Sequence, residues 1–596
     1  MAAYKAPLRD MRFALYELHD AQGLTSLPGY EEMSRDLLDP VLDEAAKYCE
    51  EVLQPINRSG DEEGCHFENG VVRTPKGFDH AYKLFREGGW AGLAIPSEWG
   101  GQGLPHMINT LFEEMMCGAN ISFNNYAMLT AGAVRAILTY GVQELKDTYI
   151  PNMVDGKWAG TMCLTEPHCG TDLGQIRTRA IPAGDGSYKI TGTKIFITGG
   201  EQDLTENIVH LVLAKLPDAP KGAKGTSLFV VPKSMVKEDG KLGPRNGVQC
   251  GAIEHKMGIK ASSTCVMNFD DATGWLVGEP HKGMRAMFVM MNAARLGVGV
   301  QGIGLGEGSY QGATAYARER LQGRALTGTK FPDKVADPIL VHPDVRRNLL
   351  TMRATMEGCR ALALWVSRAL DTLEHTADPE KRQEAEDFVA LMTPVVKALS
   401  TDLGYDATNI GVQIFGGHGY IREHGMEQFV RDARITQLYE GTNGIQALDL
   451  VGRKLGAHMG RSLRYFFHPV SAYIEAKVED EVLGPFVQPL AKAFVRLQQA
   501  TAQVAQKGLS NPDEAGAAAT EYLRLFGLVA LAYMWCRSAE IALPKVGTAE
   551  DHDGFYKAKV GTAKFFMERI LPQTSGLFSA IMAGSKTMMS FEDAAF

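Results

Sequence analysis

The sequence predicts an α+β protein: a helical region, a β region, a second helical region and a further helical stretch, in that order along 596 residues. Three observations carry this. Apolar residues recur with helical spacing from about residue 31 to 153, with a period of two from about 162 to 277, and again with helical spacing from 283 onward. A hydrophobic content of 45% and a charged content of 22% are ordinary for globular chains, and the length allows several domains with a large buried core.

The first helical region reads as LLDPVLDEAAKYCEEVL, KLFREGGWAGLAI, TLFEEMMCGAN and MLTAGAVRAILTYG, punctuated by Gly/Pro joints such as PSEWGGQGLP. The strands of the β region are YKITGTKIFITGG, IVHLVLAKL, TSLFVVPK and STCVMNFDDATGWLVG, which predict a small antiparallel, barrel-like domain. NLLTMRATMEGCRALALWVSRALDTL and EDFVALMTPVVKALSTDLGYDATNIGVQIF then form the second helical region. After Gly460 come DEVLGPFVQPLAKAFVRLQQATAQVAQ and AAATEYLRLFGLVALAYMWCRSAEIAL. The implied domains are 1–158, 159–280, 281–459 and 460–596.

A formal charge of −9 argues against a general nucleic-acid binder. Nine dispersed cysteines without a CxxC pair or a zinc-like His/Cys spacing read as reduced thiols, with no metal expected. The N-terminal MAAYKAPLRDMRFALYELHD mixes charge into each turn, unlike a secretory signal, and no run approaches the roughly 20 apolar residues of a membrane span. Cytoplasmic location is therefore expected. GVGVQG at 297–302 satisfies the dinucleotide fingerprint GxGxxG, but it follows a helix start and runs on as helix, so close helix packing is expected there.

One carboxylate stands out. Helical spacing from Phe429 to Leu438 breaks at Tyr439-Glu440-Gly441-Thr442 before a second apolar run at Ile445, Leu448 and Val451, which puts Glu440 at a joint between helices. The GGxGY element at Gly416 to Tyr420, followed by IxxxYEGTxxIQ, resembles the acyl-CoA dehydrogenases, flavoenzymes that desaturate acyl thioesters. The order of helical, β and helical regions is similar to that family's fold. The stretch after Gly460 and the N-terminal YKAPLRDMRFALYE are similar to a long bacterial subgroup that includes methylmercaptopropionyl-CoA dehydrogenases.

That resemblance implies a set of roles. Glu440 matches the catalytic base. MCLTEP through Gly170-Thr171-Asp172 resembles the family's flavin-edge element, which implies cofactor roles for Met162, Leu164, Thr165, Gly170 and Thr171. KIFITGG resembles the KxWITN strand, with Phe196 where Trp is usual, Thr198 toward flavin N5 and Gly199 in place of Asn. Arg320, Gln413, Gly416 and Gly417 match positions that reach the flavin pyrophosphate across a dimer, and Thr442 one near the adenosine portion. MNAARL matches a CoA-contacting helix, so Asn292, Arg295, Thr171, Tyr439 and Gly441 are expected to bind substrate. The family further implies FAD as cofactor, an acyl-CoA substrate of medium to long chain within fatty-acid β-oxidation, an electron-transfer flavoprotein as acceptor, and a homodimer. A methylthio-propionyl substrate, an acyl-CoA oxidase and a DNA-associated alkylation-response flavoprotein are the alternatives.

Overall fold

The computed structural model describes residues 4–596 and resolves the chain into two compact units. One comprises Met1–Ala46, Pro105–Gly118 and Val298–Phe596, and the other Lys47–Leu104 and Ala119–Gly297.

The second unit is built on a seven-stranded sheet. In spatial order its strands are Val248–Ile253, Thr264–Val277, Tyr188–Thr198, Arg179–Pro182, Asn207–Lys215 and Trp158–Cys163. Thr226–Pro232 pairs with both Thr264–Val277 and Asn207–Lys215, so five strands close into a ring, giving the barrel-like form expected. The expectation of a purely antiparallel sheet needs correction. Trp158–Cys163 and Arg179–Pro182 each run parallel to Asn207–Lys215, because both feed their hydrogen bonds to one central strand that is buried on both faces. Val212, Phe229, Val231, Met267 and Phe269 fill the ring. The helix His106–Tyr140 bends at Asn120, whose backbone is non-helical at φ −165°. Asn120 Oδ1 accepts the Phe123 N–H at 3.2 Å, so the residue that breaks the helix also caps its second half.

The first unit is a helical bundle. Pro343–His375 and Pro379–Phe415 form a hairpin whose tight joint is capped by Asp378, which accepts from the Glu380 and Lys381 amides with Pro379 next to it. The glycines of the false fingerprint lie in the helix Gly283–Glu319 and serve close packing. A Cβ on Gly302 would stand 2.5 Å from the Ser400 carbonyl, and one on Gly404 2.2 Å from the Gly302 carbonyl. The C-terminal helices Arg461–Lys477, Gly484–Ser510, Pro512–Ala542 and Phe555–Phe565 belong to this same unit. Leu523, Leu525, Leu528 and Leu531 are buried, and Trp535 donates its indole N–H to the Ala354 carbonyl at 3.1 Å.

The sequence reading found no membrane-length apolar run, yet Gly283–Glu319 and Pro512–Lys545 are long and apolar enough to cross a membrane by length and composition. Their apolar windows are 72% and 83% buried inside the protein, as core helices are.

Candidate active site

The helix Met426–Arg434 passes through a short turn at Ile435–Gln437 and ends before Glu440; the helix Asn443–Asp449 begins three residues later. Glu440 has φ +56° and Gly441 φ +83°, so the chain reverses through two left-handed residues. That conformation costs a non-glycine residue about 1 kcal/mol or more and persists only when neighbours hold it. Several do. Gln446 Nε2 donates to the carbonyls of Glu440 at 3.1 Å and Gly441 at 3.2 Å, and the Lys397 ammonium donates to Gly441 O at 2.9 Å and Asn443 Oδ1 at 2.8 Å. Thr442 caps the following helix by accepting the Ile445 amide, and stays exposed. The Tyr439 phenol donates to the buried Gln301, so this ring is tied into the bundle, while Gly441 is half-buried.

In the same unit Arg320 lies exposed just past the helix Gly283–Glu319, its backbone holding Ile339 through an amide-to-carbonyl bond of 2.8 Å. One turn earlier, Tyr316 stacks on Phe415 with ring centres 4.0 Å apart, and its hydroxyl meets His418 Nδ1 at 2.8 Å. Gln413 is exposed on the last turn before Phe415, and Cβ atoms added to Gly416 or Gly417 would meet nothing within 4 Å. The open glycine backbone at 416–417 allows the close approach a diphosphate needs, and the exposed Arg320 carries a charge suited to one.

The β unit carries the remaining positions. Glu166 is 3% exposed and accepts from Lys194 Nζ at 2.9 Å, from the Arg177 and Thr178 amides and from the Thr178 hydroxyl. Burial works against the Glu166 carboxylate, but Lys194 and these donors hold its pKa below the usual value; burial likewise lowers Lys194 despite Glu166 opposite. This ion pair, with Lys194 also donating to Leu164 O at 2.9 Å and the Ile195 amide to Thr165 O at 2.9 Å, fixes the segment Met162 to Thr165 along the strand Tyr188–Thr198. Met162 and Thr165 are half-buried, Leu164 is buried, and Gly170 and Thr171 are exposed. The ligand atoms of Glu166, His168 and Cys169 lie within 4.8 Å of one another, but Glu166 is already committed to Lys194.

Phe196 is the other distinctive position. Against Thr264–Val277 the register passes from Ile197 opposite Cys265 to Lys194 opposite Met267, so Ile195 and Phe196 together face the single residue Val266. The bulge puts Phe196 at φ +59° and leaves the residue 59% exposed. Thr198, half-buried opposite Thr264, follows it. A large aromatic held out of the core in a strained conformation suits a flat ring system laid on it, as the isoalloxazine of FAD would be. On the helix Gly283–Glu319, Asn292 is exposed, whereas Arg295 is only 5% exposed with its guanidinium 5.9 Å from the Phe288 ring centre.

Reasoning from sequence missed three of these features. Lys397 could have been noticed as a lone charge in the apolar stretch VALMTPVVKAL. The Glu166 to Lys194 pair and the Phe196 bulge left no local signal, because both depend on strand register.

Comparison with known proteins gives four successive family matches. Residues 38–157 match the acyl-CoA dehydrogenase N-terminal domain, 161–272 the middle domain, 281–455 the C-terminal domain, and 466–592 a family described as acetyl-CoA dehydrogenase C-terminal like. The chain is 42% identical to a 3-methylmercaptopropionyl-CoA dehydrogenase of Ruegeria pomeroyi over 97% of this chain and 98% of that one. It is 34% identical to a broad-specificity linear acyl-CoA dehydrogenase of Mycobacterium tuberculosis over the full length of both. Among solved structures, an acyl-CoA dehydrogenase complexed with FAD from Bacillus anthracis superposes with a TM-score of 0.74 at 23% identity, covering 96% of this chain and 91% of that one. Its three core regions and its fourth, C-terminal helical region make this chain a member of the acyl-CoA dehydrogenase family.

Proposed function

We propose that the protein desaturates a short acyl-CoA thioester between its α and β carbons, giving a trans-2-enoyl-CoA, with 3-methylmercaptopropionyl-CoA as the favoured substrate. The observation that carries the substrate is the 42% identity over nearly the whole chain to an enzyme of that name. It supports a shorter acyl group than the medium-to-long chains expected from sequence. Straight-chain acyl-CoA is the second reading, favoured by the full-length likeness to the linear-chain dehydrogenase.

Glu440 takes the α-proton, and its backbone N–H hydrogen-bonds the thioester carbonyl, so that the carbanion-like charge forms where a donor already stands. FAD is the cofactor, and when bound it accepts the β-hydrogen with its electron pair. Phe196, Thr198, Met162, Leu164, Thr165, Gly170 and Thr171 would hold its ring system, and Arg320, Gln413, Gly416, Gly417 and Thr442 its diphosphate and adenosine, the Arg320 group from across a homodimer. Asn292, Arg295, Thr171, Tyr439 and Gly441 serve the substrate. An electron-transfer flavoprotein takes the electrons, in the cytoplasm of a bacterium.

A panel of acyl-CoAs assayed with a dye acceptor tests the substrate. The expected result is a kcat/KM for 3-methylmercaptopropionyl-CoA at or above that for butyryl-CoA, with a steady fall toward palmitoyl-CoA; a maximum among the long chains would overturn it. Full turnover on oxygen with no added acceptor would reassign the enzyme as an oxidase. Arg320→Ala should lose FAD on dialysis and melt near the apoprotein temperature, since a ligand that binds only the folded state stabilises it. Unchanged flavin absorbance per protein after dialysis would remove Arg320 from the cofactor site.

A further inference from the structure

We propose that Lys397 and Gln446 are positioning residues that aim the Glu440 carboxylate by clamping the two peptide carbonyls on its C-terminal side. This inference rests on the reading of Glu440 as the base.

The clamp is visible in the direction of every bond. Lys397 is 0% exposed on the helix Pro379–Phe415, a place where an ammonium is retained only if strong acceptors surround it. Its donors go to the carbonyl oxygen of Gly441 and to Asn443 Oδ1. Asn443 is gripped in turn by the same helix face, donating to Thr401 Oγ1 at 2.9 Å and Asp402 Oδ1 at 2.7 Å. From the other side, both bonds of Gln446 Nε2 end on the carbonyls of Glu440 and Gly441, while its Oε1 is buried without a hydrogen-bond partner. Flipping the amide would set that oxygen against two carbonyl oxygens, so the orientation is fixed at the cost of one unsatisfied acceptor. A helix needing only an anchor for its first turn has that in Thr442. The additional donors hold the two peptide groups whose orientation sets the left-handed backbone of Glu440, and hence the exit direction of its side chain.

A carboxylate displaced by about 1 Å from the α-carbon loses on the order of 10²-fold in rate while the rest of the substrate still binds. Lys397→Met keeps the apolar stem and removes the ammonium; Gln446→Met removes the amide. Each variant is purified as the FAD-loaded full-length protein and checked by flavin absorbance and thermal melting. Two quantities are then read: the rate of anaerobic flavin bleaching by substrate in a single turnover, and the affinity for enoyl-CoA from its perturbation of the flavin spectrum. The expected result is bleaching slowed about 10- to 100-fold with enoyl-CoA affinity within about threefold of the parent. Bleaching within about threefold of the parent in a folded, flavin-loaded variant would overturn the clamp. Should Lys397→Met fail to fold, the Gln446→Met result decides. Glu440→Gln measured alongside separates the two readings: activity surviving in that variant overturns the base itself, whereas an inactive Glu440→Gln with fast clamp variants overturns only the positioning.

Discussion

Glu440→Gln is expected to keep a yellow, fully folded protein and to lower turnover at least about 10²-fold. The amide has the shape of the carboxylate, so packing around the joint is preserved. Gln446 and Lys397 hold this stretch through the backbone carbonyls of residues 440 and 441, which the substitution leaves in place, so the left-handed conformation survives the change. What is lost is the ability to take a proton. The α-carbon of a thioester is too weak an acid to ionise without a positioned base, and this is why the effect should fall on kcat with little change in KM. Steady-state assays with a dye acceptor, and flavin absorbance after gel filtration, check both halves. Near-parental turnover in this variant would assign proton abstraction to another residue.

The joint at Glu440 could be read from sequence because a break in apolar spacing followed by Gly and Thr is a local signal, and the helix starting at Asn443 obeys it. Phe196 shows the opposite case. Alternation correctly put it on a strand, but its positive φ arises from a mismatch with Thr264–Val277 some seventy residues later, which no local pattern carries. The parallel pairs failed for the same reason: the order of strands in a sheet is a non-local property. The long apolar helices are a case in which average hydropathy and burial have to be read together. A search for uninterrupted apolar runs passes over Pro512–Lys545, whose scattered polar residues still leave it apolar on average; burial among neighbouring helices, not composition, identifies it as core. Lys397 was overlooked because a lysine in an apolar helix ordinarily reads as a surface interruption, whereas here its acceptors come from a loop more than forty residues away.

Arg360→Met should be the most destabilising single substitution considered, by about 3–5 kcal/mol. Arg360 is buried and donates to both Glu114 oxygens from Nε at 2.9 and 3.0 Å, to Asp10 Oδ2 at 2.5 Å and to Glu307 Oε2 at 3.1 Å. Lys559, from the C-terminal helix Phe555–Phe565, completes the cluster by bridging Asp10 and Glu357, and Arg353 pairs with Glu357 at 2.7 Å. Methionine fills the space but leaves three buried carboxyls facing one another. An exposed pair offers the contrast: Arg58→Ala, which removes the pair with Glu62, should change stability by no more than about 0.5 kcal/mol, because solvent screens it.

The same cluster sets a pH dependence. Asp10, Glu114, Glu307 and Glu357 face Arg353, Arg360 and Lys559, one carboxyl more than there are cations. Burial pushes Glu114 up to about 7 against the pull of Arg360, while Lys559 and Arg360 overcome the burial of Asp10 and hold it below its usual range. Because the Glu114 value is raised on folding, its contribution is complete below its ordinary value of 4.5 and is lost as pH rises through about 7. Because the Asp10 value is depressed, its contribution is complete above the ordinary 3.8 and is lost as pH falls through the depressed value. The melting temperature of the parent should therefore fall between about pH 5 and about pH 7, where the folded protein keeps the Glu114 proton that the unfolded chain has lost, and level off above. Glu114→Gln, which keeps that position neutral at every pH, should flatten the fall. A parent melting temperature that rises across this range, or an Arg360→Met variant that melts with the parent, would show that the cluster does not bear the load its geometry implies.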